Sequence, residues 1–354
     1  MSTKMFKKVI GGLLAASVCV SMLLVPAAAE EDAAAGARID GTTDEKLWDV
    51  ISPDETYYVI SALNNIEYFN AHKYGWEIYA KMFGVNARFM GPADDNVNDM
   101  ITQFETALAS DPTGICVWGY DPALESCIKK AREAGIPVIT YINDVGEARE
   151  SYVGSSAHEL GYSGAKQYAE MIGGEGKVAI LTLTGSDSFM ERCQGFEDGF
   201  AEYPDIEVVA IGDTQADSNT ATSVAKDIAV KNPDMNGFVC CDSTGAAGAA
   251  TALKELGLTG EIDVLGLDRN NDVLAMVKSG EITGTIAQDD VAMDYWALVE
   301  LITMAHVDIP MSTDNAAAGA ITTPSYIYTP VTLITADTVD YYLEANELYA
   351  TNSF

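Results

Sequence analysis

The chain has 354 residues and carries 53 Asp and Glu against 20 Lys and Arg, a formal net charge of −33. Such acidity excludes nucleic acid and anionic lipid surfaces as partners, because both require positive charge. The carboxylates are scattered, as is typical of a solvated surface. The length exceeds that of one ordinary hydrophobic core and predicts two lobes.

The amino terminus has the pattern of a secretory signal peptide over residues 1–29. The basic head consists of Lys4, Lys7 and Lys8. An apolar run over residues 9–25 and three alanines at 27–29 follow it. We expect cleavage, since the run is shorter than the ~20 residues of a spanning helix; an uncleaved anchor is the alternative. Cleavage would remove three lysines and move the formal charge from −33 to −36. Val18 before Cys19 disfavours lipidation, so we predict a periplasmic or otherwise extracytoplasmic protein.

Residues 30–54 are predicted to form a flexible tether with one short helix near residues 43–50. After it, strands alternate with helical patterns. The predicted strands are Tyr57–Leu63, Val85–Met90, Gly114–Trp118, Pro137–Ile142, Lys177–Leu183, Glu207–Ile211, Gly237–Cys241, Asp263–Leu267 and Thr283–Ala287. This alternation predicts an α/β fold in which helices cover both faces of parallel sheets.

One pattern occurs twice in the chain. Residues 118–140 and 240–268 each read as a strand, a polar loop, an alanine-rich helix, a glycine stop and a second strand. Two copies of one βαβ unit fit two similar lobes that face each other across a cleft. The helices are expected to end at glycines able to adopt the left-handed cap. These are Gly84, Gly135, Gly257 and Gly280.

The segment from Val264 to Gln288 is the most informative part of the chain. It predicts a strand ending in Asp268, a helix over residues 270–278 and a second strand ending in Gln288. Small ligands bind at the carboxyl ends of strands in open α/β sheets. A carboxylate and an amide at that edge suit a polar, uncharged ligand.

Further polar or aromatic residues follow other predicted strands of the first lobe. Asn65 follows the first strand, with Tyr68 and Phe69 behind it, and Asn143 and Asp144 follow the fourth. The asparagines could bind hydroxyl groups, and an aromatic ring could cover the apolar face of a sugar. The alternatives are turn formation by the polar residues and packing of the aromatics beneath a helix.

The second lobe contributes Arg192 and Asp242. Arg192 lies one turn into a predicted helix and could donate hydrogen bonds in a fixed fork; a surface ion pair with Glu191 or Asp187 is the alternative. Asp242 follows the strand that ends in Cys240-Cys241 and repeats the placement of Asp268.

Catalytic and metal signatures are absent from the sequence. The five cysteines beyond the leader have no zinc-ligand spacing, and the histidines His72, His158 and His306 stand in separate segments. We expect Cys116 and Cys240-Cys241 to be buried thiols. No phosphate loop, Gly-x-Ser-x-Gly motif or Ser/His/Asp set occurs. Acidic pairs such as Asp289-Asp290 are expected at helix starts or in solvent.

Five motifs in order resemble the ribose-type sugar-binding proteins, the type I periplasmic binding proteins that serve ABC importers. They are VISALNN (59–65), AGIPVIT (134–140), ERCQGF (191–196), VLGLD (264–268) and TIAQ (285–288). The resemblance covers residues 57–343. It implies two Rossmann-like lobes joined by a three-crossover hinge near residues 155–156, 288–290 and 321–328. The first lobe would comprise residues 55–156 and 289–322, and the second 157–288 and 323–354.

The resemblance also implies sugar contacts at Asn65, Arg192, Asp268 and Gln288, with Tyr68 or Phe69 as the ring-stacking aromatic. The chain departs from the ribose pattern in four places. Ile142-Asn143 replaces an Asp-Arg pair, and the segment between Asn65 and Gly75 is one residue longer. Asp242 takes the place of an asparagine or of its neighbour, and no aromatic stands near residues 216–217. Another monosaccharide, a polyol or a sugar derivative is therefore expected rather than ribose.

The predicted function is that of an extracytoplasmic substrate-binding protein of an ABC importer. It would act as a monomer without a cofactor and present its ligand to a membrane permease. One alternative is a sugar-sensing receptor for a chemoreceptor or histidine kinase. A second is an exported carbohydrate-active enzyme, against which the missing nucleophile–base set argues.

Overall fold

A computed structural model describes residues 44, 46–94, 96–320 and 322–351. The predicted leader, Cys19 and most of the tether lie outside these residues. Among the helices that the structure describes, none combines the length and apolarity that a bilayer crossing requires.

Helices and strands alternate along the chain as the sequence predicted. The helices are α1 (Leu47–Val50), α2 (Phe69–Phe83), α3 (Val97–Leu108), α4 (Glu125–Glu133), α5 (Ala157–Met171), α6 (Asp187–Phe200), α7 (Ser218–Lys231), α8 (Ser243–Leu256), α9 (Asn271–Ser279), α10 (Asp290–His306), α11 (Asn315–Ala318) and α12 (Val339–Thr351). The strands are β1 (Thr56–Ile60), β2 (Asn86–Met90), β3 (Gly114–Trp118), β4 (Val138–Tyr141), β5 (Ser151–Gly154), β6 (Glu175–Thr182), β7 (Asp205–Asp213), β8 (Gly237–Cys240), β9 (Asp263–Leu267), β10 (Gly284–Gln288), β11 (Tyr326–Tyr328) and β12 (Val331–Thr335).

The strands form two six-stranded sheets with equivalent topology. Their orders are β11-β5-β4-β3-β1-β2 and β12-β10-β9-β8-β6-β7. All described strand pairings are parallel except that of β10 with β12. Helices α2 and α10 cover one face of the first sheet, and α3 and α4 cover the other. The predicted α/β class with two Rossmann-like lobes is confirmed.

The strand order reverses once in each sheet, between β1 and β3 and between β6 and β8. At such a switch point the connections leave toward opposite faces of the sheet, which opens a crevice at the carboxyl ends of the strands. Each lobe therefore offers one crevice.

Three chain passages connect the lobes. The first lies between β5 and α5, at Ser155–Ser156, and the second between β10 and α10, at Asp289. The third lies between β11 and β12, at Thr329–Pro330. Because β11 pairs with β5, residues 326–328 belong to the first sheet, whereas the sequence placed the whole of 323–354 in the second lobe.

The central strands are apolar on both faces, because helices cover both sides of each sheet. Strands β3, β4 and β8 are buried almost throughout. The cysteines of the described chain are all free, buried thiols, some in strands and others in helices: Cys116, Cys127, Cys193, Cys240 and Cys241. The expectation of buried thiols is confirmed.

Glycines set the distance between α5 and α6. A Cβ on Gly161 would overlap the carbonyl oxygen of Arg192, and one on Gly195 would overlap the carbonyl oxygen of His158. The two helix backbones therefore touch at these positions. Because Arg192 lies at this contact, the contact fixes the position of its backbone relative to α5.

We expect Gly161→Ala to lower the free energy of unfolding by roughly 1–3 kcal/mol, because the added methyl group forces two packed backbones apart. Gly185→Ala is the matched control, since nothing lies within 4 Å of a Cβ at Gly185. Urea unfolding followed by circular dichroism measures both. Equal stability of the two variants would contradict the close contact.

Candidate ligand-binding cleft

Asp268 lies directly after β9 in a conformation that non-glycine residues rarely adopt. Its φ is 78°. The backbone is held on both sides, since the Asp268 amide donates to the Ile286 carbonyl at 2.9 Å and the Thr285 hydroxyl donates to the Asp268 carbonyl at 2.7 Å. Backbone strain held in this way is concentrated at functional sites in proteins. Burial raises the pKa of the Asp268 carboxyl, and Arg192 opposes that shift.

Arg192 projects from the second turn of α6 toward the ends of β8 and β9. Its Nη1 donates to the carbonyl of Cys241, and its guanidinium lies 5.2 Å from the centre of the Phe189 ring. Its charge acts on the carboxyl groups of both Asp242 and Asp268. Its buried Nε has no hydrogen-bond partner among the described residues. Arg192 therefore lies at the ends of β8 and β9, near Asp242 and Asp268. The alternative of an ion pair with Glu191 or Asp187 is not observed among the described ion pairs.

Asp242 caps α8. One of its carboxylate oxygens accepts a hydrogen bond from the Gly245 amide at 2.7 Å. Burial raises the pKa of this carboxyl, while the Gly245 bond and Arg192 lower it. The second oxygen is left for another donor, so a capping role and a ligand contact are compatible at Asp242.

The loop after β4 turns sharply at Ile142, whose φ is 65°. A β-branched residue in this region is an outlier. The Tyr152 hydroxyl donates to the Ile142 carbonyl at 3.0 Å and thereby stabilises the turn. As a result, the Asn143 side chain points back over β3, where its Oδ1 accepts a hydrogen bond from the Trp118 indole at 2.6 Å.

Asp144 is occupied by contacts within its own loop. Its carboxylate accepts from Arg149 Nε at 2.9 Å and Nη2 at 2.6 Å, and also from the Thr140 hydroxyl at 2.9 Å. The Arg149 side chain is only 4% exposed. These contacts argue against the predicted ligand contact and give Asp144 the role of neutralising a buried arginine.

The two aromatic candidates of the first lobe have different environments. Phe69 is fully buried, with the Phe89 and Trp118 rings 5.8 and 5.3 Å from its own. Tyr68 is half-buried, and its hydroxyl has no hydrogen-bond partner among the described residues. The pKa of Tyr68 is raised by burial and by the charges of Asp290 and Asp268, so its hydroxyl lies near both lobes. Of the two, Tyr68 is the candidate ligand contact.

The remaining candidates lie at the margins. Asn65 is exposed in the loop after β1. Gln288 is the last residue of β10, and its buried Oε1 has no hydrogen-bond partner in the described chain. Gln288 thus combines a position at the second crossover with an unused acceptor.

A buried polar cluster behind Tyr68 was missed in the sequence. His72 Nδ1 and Asp294 Oδ1 are 2.8 Å apart, and Asp290 Oδ1 lies 3.7 Å from His72 Nε2. Burial raises the pKa of Asp290 to about 6 and lowers that of His72. Asp290 is the first residue of α10, as expected for an acidic residue at a helix start, but it is buried rather than solvated. The signal that could have revealed it is the Asp290/Asp294 spacing, which places both carboxylates on one face of α10.

A hydrogen bond between the loop before α2 and the start of α9 joins the two lobes. The Glu67 carboxylate accepts from the Asn271 amide at 3.0 Å. Asn271 is the first residue of α9, whose N-cap Asn270 makes no side-chain capping bond. Glu67 of the first lobe thus caps a helix of the second lobe. On the far side of Asn271, the Asn346 Nδ2 of α12 donates to its Oδ1 at 3.0 Å.

Comparison with known proteins agrees with this architecture. A family described as "Periplasmic binding protein domain" matches residues 57–306. Because the match covers more than half of the sequence, the chain belongs to this family. The resemblance to type I periplasmic sugar-binding proteins is confirmed.

Individual relatives extend the comparison. The D-allose-binding periplasmic protein of Escherichia coli is 27% identical over 65% of this chain and 78% of its own length. The xylitol-binding protein of Mycolicibacterium smegmatis is 26% identical over 73% and 74%. The structure of the arabinose-binding protein AraP from Geobacillus stearothermophilus superposes with a TM-score of 0.75 at 29% identity, covering 82% of this chain and 99% of its own. All three are named as binding proteins.

We expect Asp144→Asn to lower the free energy of unfolding by roughly 1–3 kcal/mol, because it leaves the buried Arg149 charge without its partner. The matched control is Asp340→Asn, which removes an ion pair with Lys278 whose side chains are 66% and 58% exposed. That change should cost less than about 1 kcal/mol. Chemical denaturation of both variants is the measurement, and an equal loss in the two would contradict the structural role of Asp144.

Proposed function

We propose that this protein is the extracytoplasmic substrate-binding protein of an ABC importer and binds a monosaccharide or a related polyol between its lobes. The observation that carries the proposal is the placement of Arg192 within electrostatic reach of both Asp242 and Asp268, at the switch point of the second sheet. The xylitol, allose and arabinose binding named for the relatives supports the same class of ligand.

The chemistry of this group suits neutral hydroxyl groups. A hydroxyl donates to a carboxylate and accepts from a guanidinium, so adjacent hydroxyls of a sugar can use Asp268 and Arg192 together. Charge-assisted hydrogen bonds of this kind are stronger than neutral ones. From the first lobe, Asn143 Nδ2 and the Tyr68 hydroxyl are available to the opposite side of the ligand.

Closure of the lobes is the mechanical step. The ligand would join the two switch-point crevices, and the three passages at residues 155–156, 289 and 329–330 would act as the hinge. The closed monomer would then be presented to a membrane permease, and the ligand would leave unchanged, without a cofactor. Export by the predicted leader would place the protein outside the cytoplasm.

We expect Asp268→Asn to weaken binding of the best ligand about 10- to 100-fold, because it removes a charged acceptor while keeping the side-chain shape. Titration calorimetry with D-allose, D-ribose, L-arabinose, D-xylose and xylitol measures this. Asp234→Asn is the control, since Asp234 is exposed and paired with Lys177 at the opposite end of the sheet. If no sugar or polyol binds the unaltered protein, the proposed ligand class is wrong.

We expect Glu67→Gln to weaken ligand binding about 3- to 10-fold, because it replaces a charged cap of α9 that forms only when the lobes meet. Small-angle X-ray scattering should then show a smaller compaction at a given ligand concentration. Glu77→Gln, on the exposed side of α2, is the control and should leave both measurements unchanged. A normal affinity in Glu67→Gln would show that this contact does not contribute to closure.

A further inference from the structure

Trp118 occupies the switch point of the first sheet. It is the last residue of β3, and it is the only residue of that strand that is not buried. Its ring lies 5.3 Å from that of Phe69, which begins the helix after β1, and its indole N–H reaches Asn143, which follows β4. The indole therefore extends across the carboxyl ends of three neighbouring strands. A side chain in this position forms part of the floor of the first-lobe crevice.

The orientation of this indole is fixed by its neighbours. Its one donor is used by Asn143 Oδ1 at 2.6 Å, and the strained turn at Ile142 places that amide. Tyr120 lies beside it with the ring centres 5.4 Å apart, and the Phe69 ring meets it at an angle of 63°. Such pre-organisation reduces the entropy that a binding surface loses when a ligand arrives. With its donor occupied, the indole can offer a ligand only its apolar surface.

The other aromatic side chains near the cleft are already engaged. Phe69 is fully buried, and the Phe189 ring lies under the Arg192 guanidinium. The Tyr68 ring packs against the rings of Phe69 and His72, with centres 5.2 and 5.4 Å from its own, so Tyr68 offers a ligand its hydroxyl rather than a ring face. No aromatic residue stands near residues 216–217 in the second lobe. Among the described residues near the cleft, Trp118, with Tyr120 beside it, therefore has the aromatic face that remains for a ligand.

We propose that Trp118 is the stacking platform of this cleft, held in place by Asn143, and that it makes the protein select sugars in their ring form over open-chain polyols. The inference rests on the proposed function and narrows its ligand class. A pyranose ring has a flat face of C–H groups that covers an indole, and the contact removes apolar surface of both from water. An open-chain polyol with the same hydroxyl groups has no such face. Asn143 acts as a positioning residue for the platform.

The test uses pairs of a sugar and its own polyol, such as D-xylose with xylitol, D-ribose with ribitol and L-arabinose with L-arabinitol. Calorimetry compares the unaltered protein with Trp118→Leu, which keeps apolar bulk but removes the aromatic face. We expect the ring sugar to lose at least about tenfold in affinity and the polyol to change less than about twofold. Equal losses for sugar and polyol, or no loss for either, would overturn the inference.

Tryptophan fluorescence provides a second readout that does not depend on Trp118→Leu folding well. The chain has four tryptophans, of which Trp76 is fully buried and Trp48 and Trp296 are 61% and 44% exposed. A ligand-induced change of emission should persist in Trp48→Phe and Trp296→Phe and disappear in Trp118→Phe. Its persistence in Trp118→Phe would contradict ligand contact at this residue.

The outcomes separate this inference from the proposed function. If the unaltered protein binds a polyol more tightly than every ring sugar, the inferred selectivity for ring sugars is wrong, and the proposed receptor function remains. If neither a sugar nor a polyol binds at all, both proposals fail together.

Discussion

A single guanidinium near two half-buried carboxylates is the constraint on which the cleft depends. Arg192 neutralises part of the charge that Asp242 and Asp268 would otherwise concentrate at the end of the second sheet, where partial burial already disfavours the ionised forms. Several unrelated features keep this group together. They include the glycine contact between α5 and α6, the capping bond of Asp242 and the left-handed backbone of Asp268. Each of them alone would be a minor structural detail, and together they set the position of the Arg192 guanidinium relative to the two carboxylates.

The first lobe uses a different kind of constraint, based on packing and strain. Ile142 holds a conformation that a β-branched residue avoids, and it does so where the chain must turn Asn143 back over β3. Behind this surface, His72, Asp290 and Asp294 form a buried polar cluster where the chain returns from the second lobe. The proposed cleft therefore combines charged side chains of the second lobe with aromatic side chains of the first lobe. A ligand that uses both needs hydroxyl groups on one side and an apolar face on the other.

Much of the fold and part of the candidate site could be predicted from the sequence. All nine predicted strands exist, because each is an apolar run between turn signals. Strands β5, β11 and β12 were missed; β5 and β11 are only four and three residues long, and β12 follows β11 after two residues. Trp118 was assigned to the strand and to nothing else, because a tryptophan at the end of an apolar run reads as core. The sequence predicts Asp144 at the ligand because it follows a strand. No local pattern shows that its carboxylate pairs with Arg149.

The sequence by itself determined the class of the protein, the alternation of strands and helices, and the polar residues that follow the strands. These depend on local periodicity and on the chain order of motifs, which a sequence carries directly. Only the tertiary structure decided which of those residues are buried or paired and which remain partly exposed at the ends of the strands. Phe69 turned into the core while Trp118 remained partly exposed, and Asp144 paired with Arg149 while Arg192 stayed near Asp268. These choices depend on the burial and pairing of side chains from different loops, and such contacts form only when the sheet brings the loops together.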